Sequence, residues 1–262
     1  MDEDLTFLII TSLNDVEVEH TLENIYGLAK IILVDGGARK KSEISAQGSD
    51  YVKNLATKFG AEYFNFNFNY AAQSYNYGLK KVTSEYVFVL DSDERLGLDL
   101  REWILEKKYQ KGPVFTIRRI NYFLGEPMKY GLLRPDWNIR LFRVNSALYE
   151  DRQVHARVMT SEKIAKAPGN IHHFTYGSME SLITRIMVYS AREVLARKQK
   201  NGIQEKKGKV RNFIQRFPFQ GLTRFLYNYI WRLGILDGRR GFHLAAISCY
   251  YELLVVMRKK YN

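Results

Sequence analysis

The sequence predicts an α/β fold, a mostly parallel sheet flanked by helices with a basic helical appendage at its C-terminal end. Three observations predict it. Short apolar runs at 5–10, 30–34, 61–66 and 86–90 alternate with helix-like segments at 15–27, 46–59 and 71–82, the signature of βαβ units. The run Val87, Phe88, Val89, Leu90 is apolar on both faces, as in a buried parallel strand. Residues 192–262 hold 16 Lys and Arg against 4 Asp and Glu, which accounts for the whole net charge of +12.

A chain of 262 residues with 46% hydrophobic residues builds a sizeable core, as one large domain or a domain with an appendage. The start, MDEDLTFLII, is acidic and passes directly into a strand, without the basic start and small-residue cleavage site of a signal peptide, so export is not expected. No run reaches the roughly 18 uninterrupted apolar residues of a membrane span. The best stretch, 244–257, is shorter and contains Glu252. Cys249, the single cysteine, offers no disulfide framework; its place in an apolar run suits packing in a reducing compartment.

The first strand ends in TSLND, with Thr11 at its tip, and the second in Asp35, Gly36 and Gly37. Such a DGG turn lets a ligand approach the backbone closely, although it also serves simply as a turn. Gln73 and Asn76 stand three apart in the next helical segment, hence on one face. The fourth strand runs straight into DSDE, where Asp91 and Asp93 point to one side at the carboxyl end, the place at which open α/β sheets bind ligands. Paired hard oxygens suit Mg²⁺ or Mn²⁺ against a diphosphate. The same letters also read as an acidic turn, with Asp91 or Ser92 capping a following helix.

From 113 to 173 the texture changes to short β-like pieces between Gly and Pro loops, a substrate-side layer. Helical patterns follow from 178, with Ser178 as a candidate N-cap, and again at 209–233 and 240–258, divided by the turn GILDGRRG. Repeats and low-complexity tracts are absent from the sequence. The expected division is a catalytic domain over 1–175, with a nucleotide-binding half (1–95) and an acceptor half (96–175), and an appendage over 176–262.

The runs IILVDGG, NYAAQSYNYGLKKVTSEYVFVLDSDE and NYFLGEPMKYGLLRPDWNIRLFR resemble family 2 glycosyltransferases of the Rossmann-like GT-A fold. More narrowly they resemble bacterial lipopolysaccharide inner-core β-1,4-glucosyltransferases, whose tail GNIHHFTYGSMESLITR and RFLYNYIWRLGILDGRRGFHLAA are also similar to. The resemblance implies a UDP-sugar donor held by Thr11, Asp35, Gln73, Asn76 and Asp91. Asp35 would contact uracil or ribose, and Asp91 the ribose. It also implies that Asp93 holds the metal between the two phosphates and that His172, more than His173, completes its shell. Gln73 and Asn76 have an equally good reading as capping or surface hydrogen-bonding groups. Arg140 and Arg143 suit anions through their planar forks but also read as structural ion pairs.

Related enzymes read V-H-E in the region that carries the base, whereas this chain has Val154, His155 and Ala156. The expected base is therefore Asp151, with Glu150 behind it. Ala38 and Lys40 replace the family's Ser and Asp, and TSLND carries one apparent extra residue. The implied activity is inverting, metal-dependent transfer of a hexose, glucose from UDP-glucose, to a saccharide acceptor such as lipopolysaccharide core. Mixed aromatics and cations in NFIQRFPFQGLTRFLYNYIWRL lead us to expect a cytoplasmic enzyme held peripherally on the anionic inner face of the cytoplasmic membrane, without nucleic acid. A nucleic-acid-binding protein using that tail, and a degenerate transferase that binds donor without turnover, are the alternatives.

Overall fold

The computed structural model describes residues 1–11, 17–36, 46–66, 71–151, 157–200 and 219–261. Three βαβ crossovers open the chain: β1 (Asp2–Thr11), α1 (Glu17–Ile25), β2 (Ala29–Asp35), α2 (Ala46–Lys58), β3 (Glu62–Asn65), α3 (Ala71–Leu79) and β4 (Tyr86–Asp91). The strands pair in parallel in the order β3-β2-β1-β4. The chain steps outward from β1 to β3 and then returns to the other side of β1 with β4. This reversal is the topological switch point, where adjacent crossovers leave opposite faces and open a crevice at the strand ends.

Alternation along the strands explains why both faces of this half-sheet are apolar. Leu5, Phe7 and Ile9 of β1 face one way and pack with Val18 and Leu22 of α1 and Val52 of α2. Leu8 and Ile10 face the other way, with Ile32, Val34, Val89 and Ala72 of α3. Each such fully buried aliphatic or aromatic side chain contributes on the order of 1.5–3 kcal/mol.

After β4 the sheet becomes antiparallel. β5 (Glu94–Leu96) and α4 (Leu98–Leu105) lead to β6 (Val114–Phe123), β7 (Glu126–Pro127), β8 (Asp136–Arg143), the short pair β9 (Leu148–Tyr149) and β10 (Val158–Met159), and the long β11 (Ile164–Tyr176). Among the described residues the main sheet has nine strands and runs β3-β2-β1-β4-β8-β6-β11-β5, with β7 on β6. The helix after DSDE begins only at Leu98, with Gly97 at its N-cap. DSDE is thus the turn between β4 and β5, and its carboxylates do not cap that helix.

Residues 1–119 and 136–173 form one compact unit; 120–135 and 174–262 form a second. The sequence boundary at 175 does not contain that grouping of 120–135 with the C-terminal helices. Its physical basis is local: Gly131 N–H donates to the Arg232 carbonyl at 2.9 Å, and Tyr130 N–H to Asp237 at 2.8 Å. The second unit holds α5 (Met179–Lys200), α6 (Phe219–Leu226), a π-helical turn at Tyr227–Trp231 and α7 (Gly238–Tyr261). Its core joins Phe123 and Met128 to Leu182, Ile186 and Leu244.

Candidate active site

Strand register brings three of the sequence-selected residues to one edge. Thr11 of β1 is paired with Asp35 of β2, and Ile10, one residue back, with Asp91 of β4. Thr11, Asp35 and Asp91 therefore end neighbouring strands at the switch point. Asp35 is fully buried and accepts a hydrogen bond from the Tyr63 hydroxyl at 2.9 Å.

The DSDE turn is held from below by α1. Thr21, fully buried, directs its hydroxyl at the carbonyls of Ser92 (2.7 Å) and Glu94 (2.9 Å). The Asn24 amide clasps Leu96 in both directions, donating to its carbonyl and accepting from its N–H. Pairing of β5 with β11 then sets His173 opposite Glu94 and His172 opposite Arg95. Side chains alternate along β11, so the two imidazoles part. His173 Nε2 lies 3.2 Å from Asp93 Oδ1. The ring of His172 packs against Gly97, where a Cβ would come within 3.1 Å of its Nε2. The histidine that meets Asp93 is thus the neighbour of the one favoured from sequence, an offset of one residue that only strand phase decides.

Behind the turn lies an alternating chain of charges. The Arg140 guanidinium, buried, reaches Asp91 Oδ2 at 2.9 Å and Glu94 Oε1 at 2.5 Å. Arg119 lies 3.4 Å from the same Glu94 oxygen and grips Asp136 through two nitrogens at 3.0 and 2.8 Å. The Tyr75 hydroxyl donates to Asp91 Oδ1, and the Asp91 backbone N–H to Glu94 Oε2 at 3.0 Å. Burial and Asp93 oppose the charge on Asp91, but Arg140 and Tyr75 outweigh them and hold its carboxyl below the usual range. Burial, reinforced by Asp91, pushes Glu94 up. Burial would lower His173, yet the Asp93 and Glu94 carboxylates raise it; burial lowers His172.

Arg140 occupies the ion-pair role that was one of its two sequence readings. Arg143 pairs at 3.2 Å with Glu85 and at 2.8 Å with the Tyr86 hydroxyl. Asn76 holds backbone: it donates to the Tyr149 carbonyl at 2.8 Å and accepts from the Tyr149 N–H at 3.0 Å. Tyr149 stacks on Tyr75 with centroids 4.3 Å apart. This places β9 against the helix that also supplies Tyr75 to Asp91, with Glu150 and Asp151 following it in the chain. Glu150 N–H bonds the Arg157 carbonyl at 2.8 Å, and Asp151 is exposed. Gln73 is half-buried in α3. Gly37, Ala38, Lys40 and the segment Val154, His155 and Ala156 lie outside the described residues. Sequence reading missed Tyr75, Glu94 and Arg119. The only signal for Glu94 was its membership in an acidic run, and none distinguished Tyr75. Among the described residues no three His, Cys, Asp or Glu side chains converge as a metal-holding group.

The family model for glycosyl transferase family 2 matches residues 11–179. The chain belongs to glycosyl transferase family 2. The match runs from the tip of β1 to the start of α5, and so takes in every strand end described above. Over 262 residues this glycosyltransferase is 24% identical to the lipopolysaccharide core biosynthesis glycosyltransferase LpsC of Rhizobium meliloti (strain 1021), covering 97% of this chain and 91% of that one. In fold it is similar to the mannosyltransferase PcManGT from Pyrobaculum calidifontis, solved with GDP-Man and Mn²⁺. That likeness has a TM-score of 0.51 at 11% identity, over 98% of this chain and 87% of the other. The architecture is that of the GT-A enzymes.

Proposed function

We propose that this glycosyltransferase moves a hexose, glucose from UDP-glucose, onto a saccharide acceptor with inversion at the anomeric carbon. The observation that carries the reading is the meeting of Asp35, Asp91 and Asp93 at the ends of β2 and β4, on either side of β1, with His173 at 3.2 Å from Asp93. In it, Thr11 and Asp35 face the nucleoside and Asp91 the ribose, with Gln73 beside them on α3. Asn76 acts through the backbone of β9.

Asp93 and His173 fit Mg²⁺ or Mn²⁺. Mg²⁺ beside phosphates ordinarily takes only one or two carboxylates and completes its shell with substrate oxygens and water, so Asp93 with an adjoining imidazole suffices. When bound, the ion supplies Lewis-acid stabilisation of the departing diphosphate. The chain's own groups do the rest. Arg140 neutralises Asp91 and Glu94, so the turn keeps its shape although three carboxylates lie within four residues. The acceptor oxygen attacks the anomeric carbon opposite the diphosphate, the carbon–oxygen bond to the diphosphate breaks, and the hydroxyl proton passes to Asp151, or to Glu150 next to it. Single displacement leaves no glycosyl-enzyme.

A lipopolysaccharide core saccharide is the proposed acceptor, supported by the name of the relative LpsC. A thermal-shift panel of nucleotide sugars with and without Mn²⁺ tests the donor site. UDP-glucose should stabilise the enzyme most, and only with the metal. Stabilisation by another nucleotide in its place would replace the donor, and stabilisation by none would overturn the reading.

A further inference from the structure

The C-terminal unit presents an apolar stripe to solvent. Phe219, Leu222, Leu226 and Ile230, spaced to line one helical face, are 44%, 51%, 42% and 59% exposed. Trp231 beside them is 79% exposed, and Ile235 and Leu236 in the next turn are 52% and 61% exposed. Between α6 and α7 an open groove of about 520 Å³ continues the stripe, with an almost wholly apolar lining. Contiguous exposed apolar surface marks an interaction site, and an exposed Trp suits a boundary between water and lipid.

Charge identifies the partner. Residues 219–261 carry seven Lys and Arg against two acids, and both acids are engaged within the unit. Asp237 accepts the backbone N–H groups of Lys129 and Tyr130; Glu252, 6% exposed, accepts from Gln220. The cations at Arg224 and Arg239 are exposed on the same unit, Arg224 on the side of α6 away from the stripe, and have no comparable internal use among the described hydrogen bonds. A second copy would set one cationic face against another. Nucleic acid would gain no stacking from Leu226, Ile230, Ile235 or Leu236. Among the described residues no helix is long and apolar enough to cross a membrane.

We propose that the face formed by α6, its π-helical turn and the start of α7 docks on an anionic lipid surface, with Trp231, Ile230 and Leu236 entering the headgroup boundary and the arginines meeting phosphates. The proposal stands apart from the donor-site reading, and its test needs no donor. The full chain is sedimented with vesicles of phosphatidylcholine alone or mixed with phosphatidylglycerol. Binding is expected to the mixed vesicles, weakened by salt and accompanied by a blue shift of tryptophan emission. Ile230→Ser with Trp231→Ser should lower partitioning by about tenfold or more. Arg239→Ser should lower it by about fivefold, and Arg224→Ser, across α6 from the stripe, by less. Ile235→Ser with Leu236→Ser provides a second apolar pair should the first fail to fold. The proposal is overturned if the wild type binds neither vesicle, if both apolar pairs bind like wild type, or if Trp231→Ser abolishes a dimer while vesicles are ignored. None of those results would touch the donor site.

Discussion

Arg140 is the residue on which the donor-side carboxylates depend. It lies between the half-buried Asp91 and the buried Glu94, so removing it leaves the two carboxylates facing each other without compensation. Arg140→Met should cost about 3–5 kcal/mol in urea unfolding, and Arg140→Lys should recover only part because an ammonium does not fork. A methionine variant of wild-type stability would refute this account of the charge chain. Asp93→Ala should reduce transfer by more than about tenfold and abolish Mn²⁺-dependent stabilisation by UDP, because it removes the oxygen ligand proposed next to His173. Asp151→Asn should lose turnover but keep donor binding; unchanged turnover would move the proton to Glu150 or elsewhere. At this scale the sequence singled out Asp35, Asp91 and Asp93, because they end apolar strands in runs that also carry the family resemblance. Its preference for His172 over His173 came from the resemblance, since the strand phase of β11 is not legible in the letters.

At the scale of elements, the DSDE turn is built by α1 as much as by the strands that flank it. Thr21→Val keeps the side-chain shape but leaves the carbonyls of Ser92 and Glu94 without their buried donor. The expected cost is about 1–3 kcal/mol by chemical denaturation, together with weaker Mn²⁺-dependent UDP binding. Normal donor binding in the destabilised variant would show that the turn keeps its shape without α1. The βαβ elements were legible because their periodicities are clean: the apolar runs at 30–34 and 86–90 became β2 and β4 within a residue or two of either end. β5 was hidden, since three residues after an acidic turn carry no period, and its pairing with β11 crosses more than 70 positions. Asn76, read either as a donor contact or as a hydrogen-bonding group, fastens the backbone of Tyr149.

Across the molecule, long-range polar ties fix the chain start. Asp2 accepts from the Tyr109 hydroxyl at 2.5 Å and pairs with Lys107 at 2.9 Å. Burial opposes the Asp2 charge, but Tyr109 and Lys107 outweigh it, so its folded pKa is lowered. The sign follows: its contribution is complete above its unfolded value, about pH 4, and is lost as pH falls through the lower folded value. Asp2→Asn should therefore be less stable than wild type at neutral pH, with the gap closing in stronger acid. A gap constant from pH 7 to pH 2 would rule this out. The uneven charge of the chain was plain from sequence, but its use was not; only folding turns the two acids of 219–261 inward while leaving cations beside an apolar stripe.

The sequence by itself determined the fold class, the order of the crossovers and the strand ends at which acids gather, because those follow from local periodicity and from the carboxyl-end rule of parallel sheets. Family membership could be read in the same runs. The tertiary structure alone decided which acid pairs with which cation, which histidine meets Asp93, and which polar side chains serve the backbone. Those outcomes depend on strand register and on contacts between distant segments. A shift of one residue reverses the face a side chain presents, and composition and spacing hold no record of it.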